Sequence, residues 1–188
     1  MPETKDVVTL LKEQHTAIRA LLDQVPATKG DERQSAFQEL VRLLAVHETA
    51  EAEIVHPFAR KNLEGGEAVV NDRVAEEEKV KRALVELEDK DTDSPEFLDL
   101  FAALRQDVLA HADAEERHEL AHLQNHADRA KLENLATAVK AAEAVAPTRP
   151  HPGLDTPAKH LVAGPFAAIA DRTRDAIRAA RKRPTDEG

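Results

Sequence analysis

The chain has no cysteine, no tryptophan and no tyrosine, and a single methionine. Without cysteine there is no disulfide, no iron–sulfur cluster, no thiolate zinc site and no cysteine nucleophile. Without tyrosine, a phenolate metal ligand, a tyrosyl radical and a phenolic general acid are excluded. Aromatic residues make up only 3% of the sequence, too few to build stacking platforms for single-stranded nucleic acid. Basic residues are also in deficit: 26 Lys and Arg against 36 Asp and Glu leave a net charge of −10. That balance opposes general phosphate-backbone binding, so no nucleic-acid partner is expected. Apolar runs are short, well under the ~20 residues that cross a bilayer. The opening MPETKDVVTLLKEQH has no basic stretch followed by an apolar one, so a signal peptide is not expected and the cytoplasm is the expected compartment. The chemistry left to the chain is that of His, carboxylates, Lys, Arg and hydroxyls, and nine histidines stand out.

Six glycines and ten prolines cluster, and they punctuate the chain. The punctuation predicts a first helix from near Thr4 to just before Pro26, a second from about Glu32 to about Arg60, and a third from roughly Glu67 to Asp89. Ser94 reads as the N-cap of a fourth, with Pro95 in its first turn and Glu96 beside the helix dipole. From there to Ala146 the chain has neither Gly nor Pro. A single helix of roughly 50 residues would be about 75 Å long, so a break is expected near Asn125–Arg129, followed by a further helix to Val145.

Leu11, His15, Ile18 and Leu22 fall on one helical stripe, and Leu40, Leu44, His47, Glu51, Ile54 and Phe58 on the next. Val70, Val74, Glu77, Lys81, Leu84 and Leu87 mark the third, and Phe97, Phe101, Leu104, Val108, His111 and Glu115 the fourth. Strand alternation is absent. The fold class is therefore all-α, an up-down-up-down four-helix bundle with additional C-terminal helices. Residues 1–146 form the bundle with its following helix. Residues 147–188 form a Pro-rich linker (PTRPHPG) and a last helix near Gly164–Arg181, carrying Phe166, Ile169 and Ile177. From Arg149 onward eight basic residues face five acidic ones, so a tail of charge +3 follows a body of charge −13. Such a tail is expected to dock on the bundle or to meet a protein partner.

Every inner stripe carries an ionisable residue near its middle: His15, His47 with Glu51, Glu77, and His111 with Glu115. Burying such groups unpaired costs several kcal/mol each, in round terms. Mid-helix positions of an up-down bundle meet in one layer, so the groups are expected to satisfy one another around metal ions, as a binuclear site. His47–Glu51 and His111–Glu115 repeat one pattern, H-x-x-A-E, whose i, i+4 spacing places both side chains on one face. Glu78 is the alternative to Glu77 if the register shifts. His118 and His122 extend the fourth stripe and are read, with His126, as polar residues where that helix leaves the bundle; metal ligation is the other reading. His56 is placed at the bundle end, Glu53 and Glu116 at the surface or behind the ligands, and His151 and His160 away from any metal. Lys81 pairs with Glu77 or extends outward.

Over roughly its first 145 residues the sequence resembles the hemerythrin-like family of HHE cation-binding domains. The resemblance rests on LLKEQHTAIRALL, HETAEAEIVHP, EEEKVKRALVELE and LAHADAEER. It implies a four-helix bundle around two non-haem iron ions, with His15, His47, Glu51, His111 and Glu115 as ligands. The family's third-helix ligand is usually a histidine; alignment on Val80-Lys81-Arg82-Ala83-Leu84 places Glu77 there. A carboxylate at that position favours ferric over ferrous iron. The oxygen-carrying members are richer in histidine. The resemblance therefore implies a protein that binds or processes O2, peroxide or NO, with peroxide breakdown or sensing ahead of oxygen transport. An iron- or oxygen-responsive module acting through the basic tail is the alternative. PTRPHPG resembles the C-terminal extension of actinobacterial members.

Overall fold

The computed structural model describes residues 5–150. They form five rods: α1 (Val7–Ala27); α2 (Gly30–Ala50) running through a π turn (Glu51–Val55) into α3 (His56–Asn62); α4 (Gly66–Glu88); α5 (Pro95–Glu115) running through a second π turn (Glu116–Leu120) into α6 (Ala121–His126); and α7 (Arg129–Val145). There is no strand among the described residues.

Local chemistry sets the ends. The Asp6 carboxylate accepts from the Thr9 N–H (2.8 Å), the Ser94 hydroxyl from the Phe97 N–H (3.1 Å) and the Asp128 carboxylate from the Lys131 N–H (2.8 Å), each capping a helix start. The expected break in the long Gly/Pro-free stretch falls at Ala127–Asp128, both in extended backbone. Two boundaries differ from expectation. The first helix begins at Val7 and runs past Pro26 to Ala27, because the N–H that proline lacks would have served only the final turn. The second rod is one continuous helical run but not one regular α-helix, since the π turn interrupts it after Glu51.

Helices α1, α2, α4 and α5 pack in a ring, α1 beside α2, α4 beside α5, and the two pairs joined through α1–α5 and α2–α4. Helix α7 lies over α1, α2 and the first π turn. The core has two apolar clusters. One joins Ile18, Leu22, Phe37, Leu40, Leu44, Leu84, Phe97, Phe101 and Val108. The other joins Val7, Leu11, Val55, Leu120, Leu123, Leu132 and Val139. Along α1 and along the α2 and α5 rods the buried His and Glu residues of the layer sit between the two clusters in sequence. On α4 Glu77 precedes Val80 and Leu84 of the first cluster, so apolar side chains wall the layer on both sides. The α3–α4 corner is tight: a Cβ on Gly66 would stand 2.5 Å from the Ala59 carbonyl oxygen, so only glycine lets these backbones approach. At the opposite end buried Arg33 ties three segments, donating to the Val25 and Thr92 carbonyls (both 3.0 Å) and to Asp93 (2.9 Å).

Beyond α7, Arg149 pairs with Glu88 of α4. The helix expected at Gly164–Arg181, its docking, His151 and His160 lie outside the described residues. No helix among the described residues is long and apolar enough to cross a membrane.

Candidate metal centre

His15 comes from α1, His47 from α2, Glu51 from the start of the first π turn, Glu77 from α4, and His111 and Glu115 from α5. All six are buried, the most open being His111 at 7% exposure. They converge as two overlapping donor groups, His15–His47–Glu51–Glu115 and Glu51–Glu77–His111, each with its donor atoms within 4.8 Å of one another. Glu51 belongs to both. In the first group His15 Nε2 stands 3.2 Å from His47 Nε2 and 3.1 Å from Glu115 Oε2, and His47 Nε2 is 3.0 Å from Glu51 Oε1.

The free atoms of this layer suit cations. Both carboxylate oxygens of Glu51 and of Glu115, Glu77 Oε2 and His111 Nε2 are buried without a hydrogen-bond partner. A protein interior rarely retains so many orphaned polar atoms, and the unpartnered carboxylate oxygens outnumber the unpartnered nitrogens of His56, Arg73, Lys81 and His111. The other edge of each ring is held. His15 Nδ1 meets Glu116 Oε1 (2.9 Å), which also accepts from Arg19 (3.0 Å). His47 Nδ1 meets Gln14 Oε1 (2.7 Å), and Gln14 in turn donates to Glu143 on α7. His111 Nδ1 meets Glu76 Oε2 (3.0 Å), itself paired with Arg73 (2.9 Å). Bonds of this kind fix the tautomer and aim Nε2 inward, as metal-ligating histidines require.

The remaining candidates divide. Glu78 stands outside both donor groups and pairs with Arg82 (3.1 Å), so the third-helix register falls on Glu77. His118 is exposed, and His122 and His126 stack on each other (centroids 4.0 Å apart) with His122 Nε2 near the Asn62 carbonyl oxygen (3.2 Å); none joins the layer. Glu53 is partly buried, and Glu116 stands behind His15. Lys81 is buried, its ammonium 3.7 Å from Glu77 and 3.9 Å from Glu48.

His56 is a correction. It is not a bundle-end residue: it is 3% exposed, and its Nε2 lies 2.6 Å from Glu77 Oε1. The π turn inserts one extra residue, which rotates His56 onto the face it would miss in a regular helix. Two carboxylates were not anticipated. Glu48 is buried beside Lys81 because it faces α4 rather than the inner stripe, and only the matching charge of Lys81 could have signalled it. Glu119, fully buried, lies four residues after Glu115, a spacing that does point to the same face.

Burial dominates the electrostatics of the metal-free layer. It lowers His47 to about 3, helped by the charges of His15 and His111. It raises Glu48 to about 8 against the pull of Lys81. It lifts Glu51 well above the usual carboxylate range, reinforced by Glu115 and Glu77, and it lifts Glu119 to about 7, again with Glu115 adding. For His111 the burial penalty is outweighed by the hydrogen bond to Glu76 and the charges of Glu77, Glu115 and Glu48, raising it to about 9. Above pH 6.5, then, Glu48, Glu119 and His111 hold protons in the folded chain that the unfolded chain has released. The folded state binds more protons, so stability must fall as pH rises. Below 6.5, His47 opposes this, since only its unfolded form takes a proton. The melting midpoint of chelator-treated protein should therefore decline from pH 6.5 to 8 in a thermal scan; a midpoint that rises over that interval contradicts these assignments.

A small cavity adjoins the layer, lined by His15, His47, Glu48 and His111 on one side and Ile18, Leu44, Val80 and Val108 on the other. It leaves about 10 Å³ for the centre of a water-sized molecule, room for about one such molecule.

Residues 6–123 match the family model for the hemerythrin HHE cation-binding domain. An uncharacterised hemerythrin-like protein of Schizosaccharomyces pombe is 30% identical over 135 residues, covering 70% of this chain and 66% of that relative's length. The crystal structure of a hemerythrin HHE cation-binding domain-containing protein from Mycobacterium kansasii superposes with a TM-score of 0.66 at 24% identity, over 74% of this chain and 86% of that one.

Proposed function

Because the chain belongs to the hemerythrin family of HHE cation-binding domains, we propose that it holds two non-haem iron ions and uses them to bind or process O2, peroxide or NO. Peroxide breakdown or sensing fits this chain better than oxygen transport. The observation that carries the reading is the pair of buried donor groups joined through Glu51. His15, His47, Glu51 and Glu115 would hold one ion, and Glu51, Glu77 and His111 the other.

Bound iron supplies the electrons for one- or two-electron chemistry on a small ligand. The protein does the rest. The cavity beside His47 and His111 admits a diatomic or peroxide and little more. The apolar clusters above and below keep bulk water out. Gln14, Glu76 and Glu116 hold the three imidazoles in one orientation. Glu48 lines the same cavity, where burial raises its carboxyl to about 8 in the protein without metal. It is the group placed to hand a proton to a reduced oxygen species and take one back. With three imidazoles among the six donors, the carboxylate-rich set favours the ferric state, which suits peroxide handling over reversible O2 release.

The test is metal analysis of protein grown with iron, taken with its visible and near-UV spectrum, followed by peroxide, O2 and NO additions. Two irons per chain with ferric charge-transfer absorption are expected. In His111→Ala the second ion should be lost and the first kept. Folded wild-type protein that carries no metal and takes none up on reconstitution overturns the reading.

A further inference from the structure

Three buried carboxylates among the described residues have neither oxygen hydrogen-bonded: Glu51, Glu115 and Glu119. The first two belong to the donor groups above, and the third has no role there. Glu119 is 0% exposed. It sits in the second π turn, one turn beyond Glu115. The wider turn leaves two consecutive residues fully buried, Glu119 and Leu120, the second of them in the apolar cluster below the layer.

Its electrostatic neighbours are Glu115, His56, His111 and Arg73, and it also acts on Glu51. The positive charges of His56 and Arg73 act on it from a distance, but the Arg73 guanidinium pairs with Glu76 at 2.9 Å. His56 Nε2 is engaged with Glu77 and its Nδ1 has no hydrogen-bond partner, so neither cationic side chain bonds the Glu119 oxygens. A carboxylate buried this way costs several kcal/mol in round terms and is retained where a cation answers it. Glu119 stands outside both donor groups but interacts with His111 and Glu51 of the second, which has three residues against four in the first, although octahedral ions take about six donors.

We propose that Glu119 is a further ligand of the second ion, completing the Glu51–Glu77–His111 group from the far side of the second π turn. His56 then acts as a positioning residue, holding Glu77 Oε1 so that Oε2 faces the same ion. The assignment rests on the two-ion reading above.

The experiment titrates full-length metal-free protein with ferrous iron under anaerobic conditions, and separately with cobalt(II), whose visible absorption reports ligand number. Wild type should take two ions. Glu119→Gln should bind the first with unchanged affinity and the second at least about tenfold more weakly, with an altered cobalt spectrum for that ion only. Metal-free Glu119→Gln should also melt above metal-free wild type, because an unanswered carboxyl has been neutralised. Glu119→Asp, which keeps the charge on a shorter arm, should weaken the second ion less than Gln does. Two ions bound by Glu119→Gln with wild-type affinity and spectrum overturn the proposal. So does a lower melting point for its metal-free form, which would show that Glu119 has a partner within the protein. If wild type itself takes only one ion, the two-ion reading fails and this assignment falls with it.

Discussion

Replacing Glu51 with alanine should empty both metal positions at once. Glu51 is the one residue common to the two donor groups, and both its oxygens are free to face ions on either side. Losing any other donor removes a ligand from one ion; losing Glu51 removes one from each. It also removes the negative charge that lets two cations lie side by side. A fall in affinity of more than about 100-fold for both ions is the expected scale, since even outer partners of metal ligands are worth 10- to 100-fold. The fold should survive. In the metal-free chain Glu51 is repelled by Glu115 and Glu77 and kept protonated by burial, so its removal relieves strain there. Metal analysis alongside circular dichroism reads both effects. Two ions retained by folded Glu51→Ala protein would show that the groups are not joined through this residue.

Phe97→Ala should cost about 3–5 kcal/mol of stability, the largest loss expected from one substitution outside the polar layer. Phe97 is fully buried. Its ring is edge-on to Phe37 (centroids 5.0 Å, planes at 89°) and stacked on Phe101 (5.8 Å, 15°). With aromatics at 3% of the chain, this trio is the main bulk of the cluster at that end of the bundle. The cluster is drawn from four helices, with Leu22, Leu40 and Leu84 among its members, and residues held on separate helices cannot all collapse into the void. Domains of this size are stable by about 5–15 kcal/mol in total, so the change is a large share of the whole. Denaturant unfolding measures it. The folded fraction should still bind metal, because the layer lies beyond Phe101, Leu104 and Val108 on α5. A loss under about 1 kcal/mol would mean that the trio is not the packing centre of its cluster.

Most of the architecture can be read from the chain itself. Helix starts are local, and Ser94 and Asp6 cap where their side chains reach an N–H three residues on. The inner stripes are local too. A 3.6-residue period puts His15 between Leu11 and Ile18, and His111 between Val108 and Glu115, wherever the helix ends up. Four stripes with an ionisable residue at mid-length already imply a shared layer. The break at Ala127–Asp128 follows from length alone, since an unbroken helix would overrun its partners. Less regular features escape the same rule. Pro26 sits inside the last turn of α1, and the π turns at Glu51–Val55 and Glu116–Leu120 each depart from ideal spacing by one residue, which at the first is enough to misplace His56.

The sequence by itself determined that this chain is all-α and that six His and Glu residues lie on inward faces at one level. It also carried, through the duplicated H-x-x-A-E pattern, the suggestion that they meet around metal. These are consequences of periodicity along single helices. The tertiary structure decided how the six divide into two groups joined at Glu51. It decided that His56 backs Glu77, that Glu48 meets Lys81, and that Gln14, Glu76 and Glu116 hold the rings, with Glu143 of α7 behind Gln14. It also buried Glu119 without a partner. Those facts join residues from 4 to 129 positions apart in the chain. Packing sets them: burial removes water as an alternative partner, so each polar atom must find its answer in whichever helix lies opposite, and no periodicity within one helix contains that information.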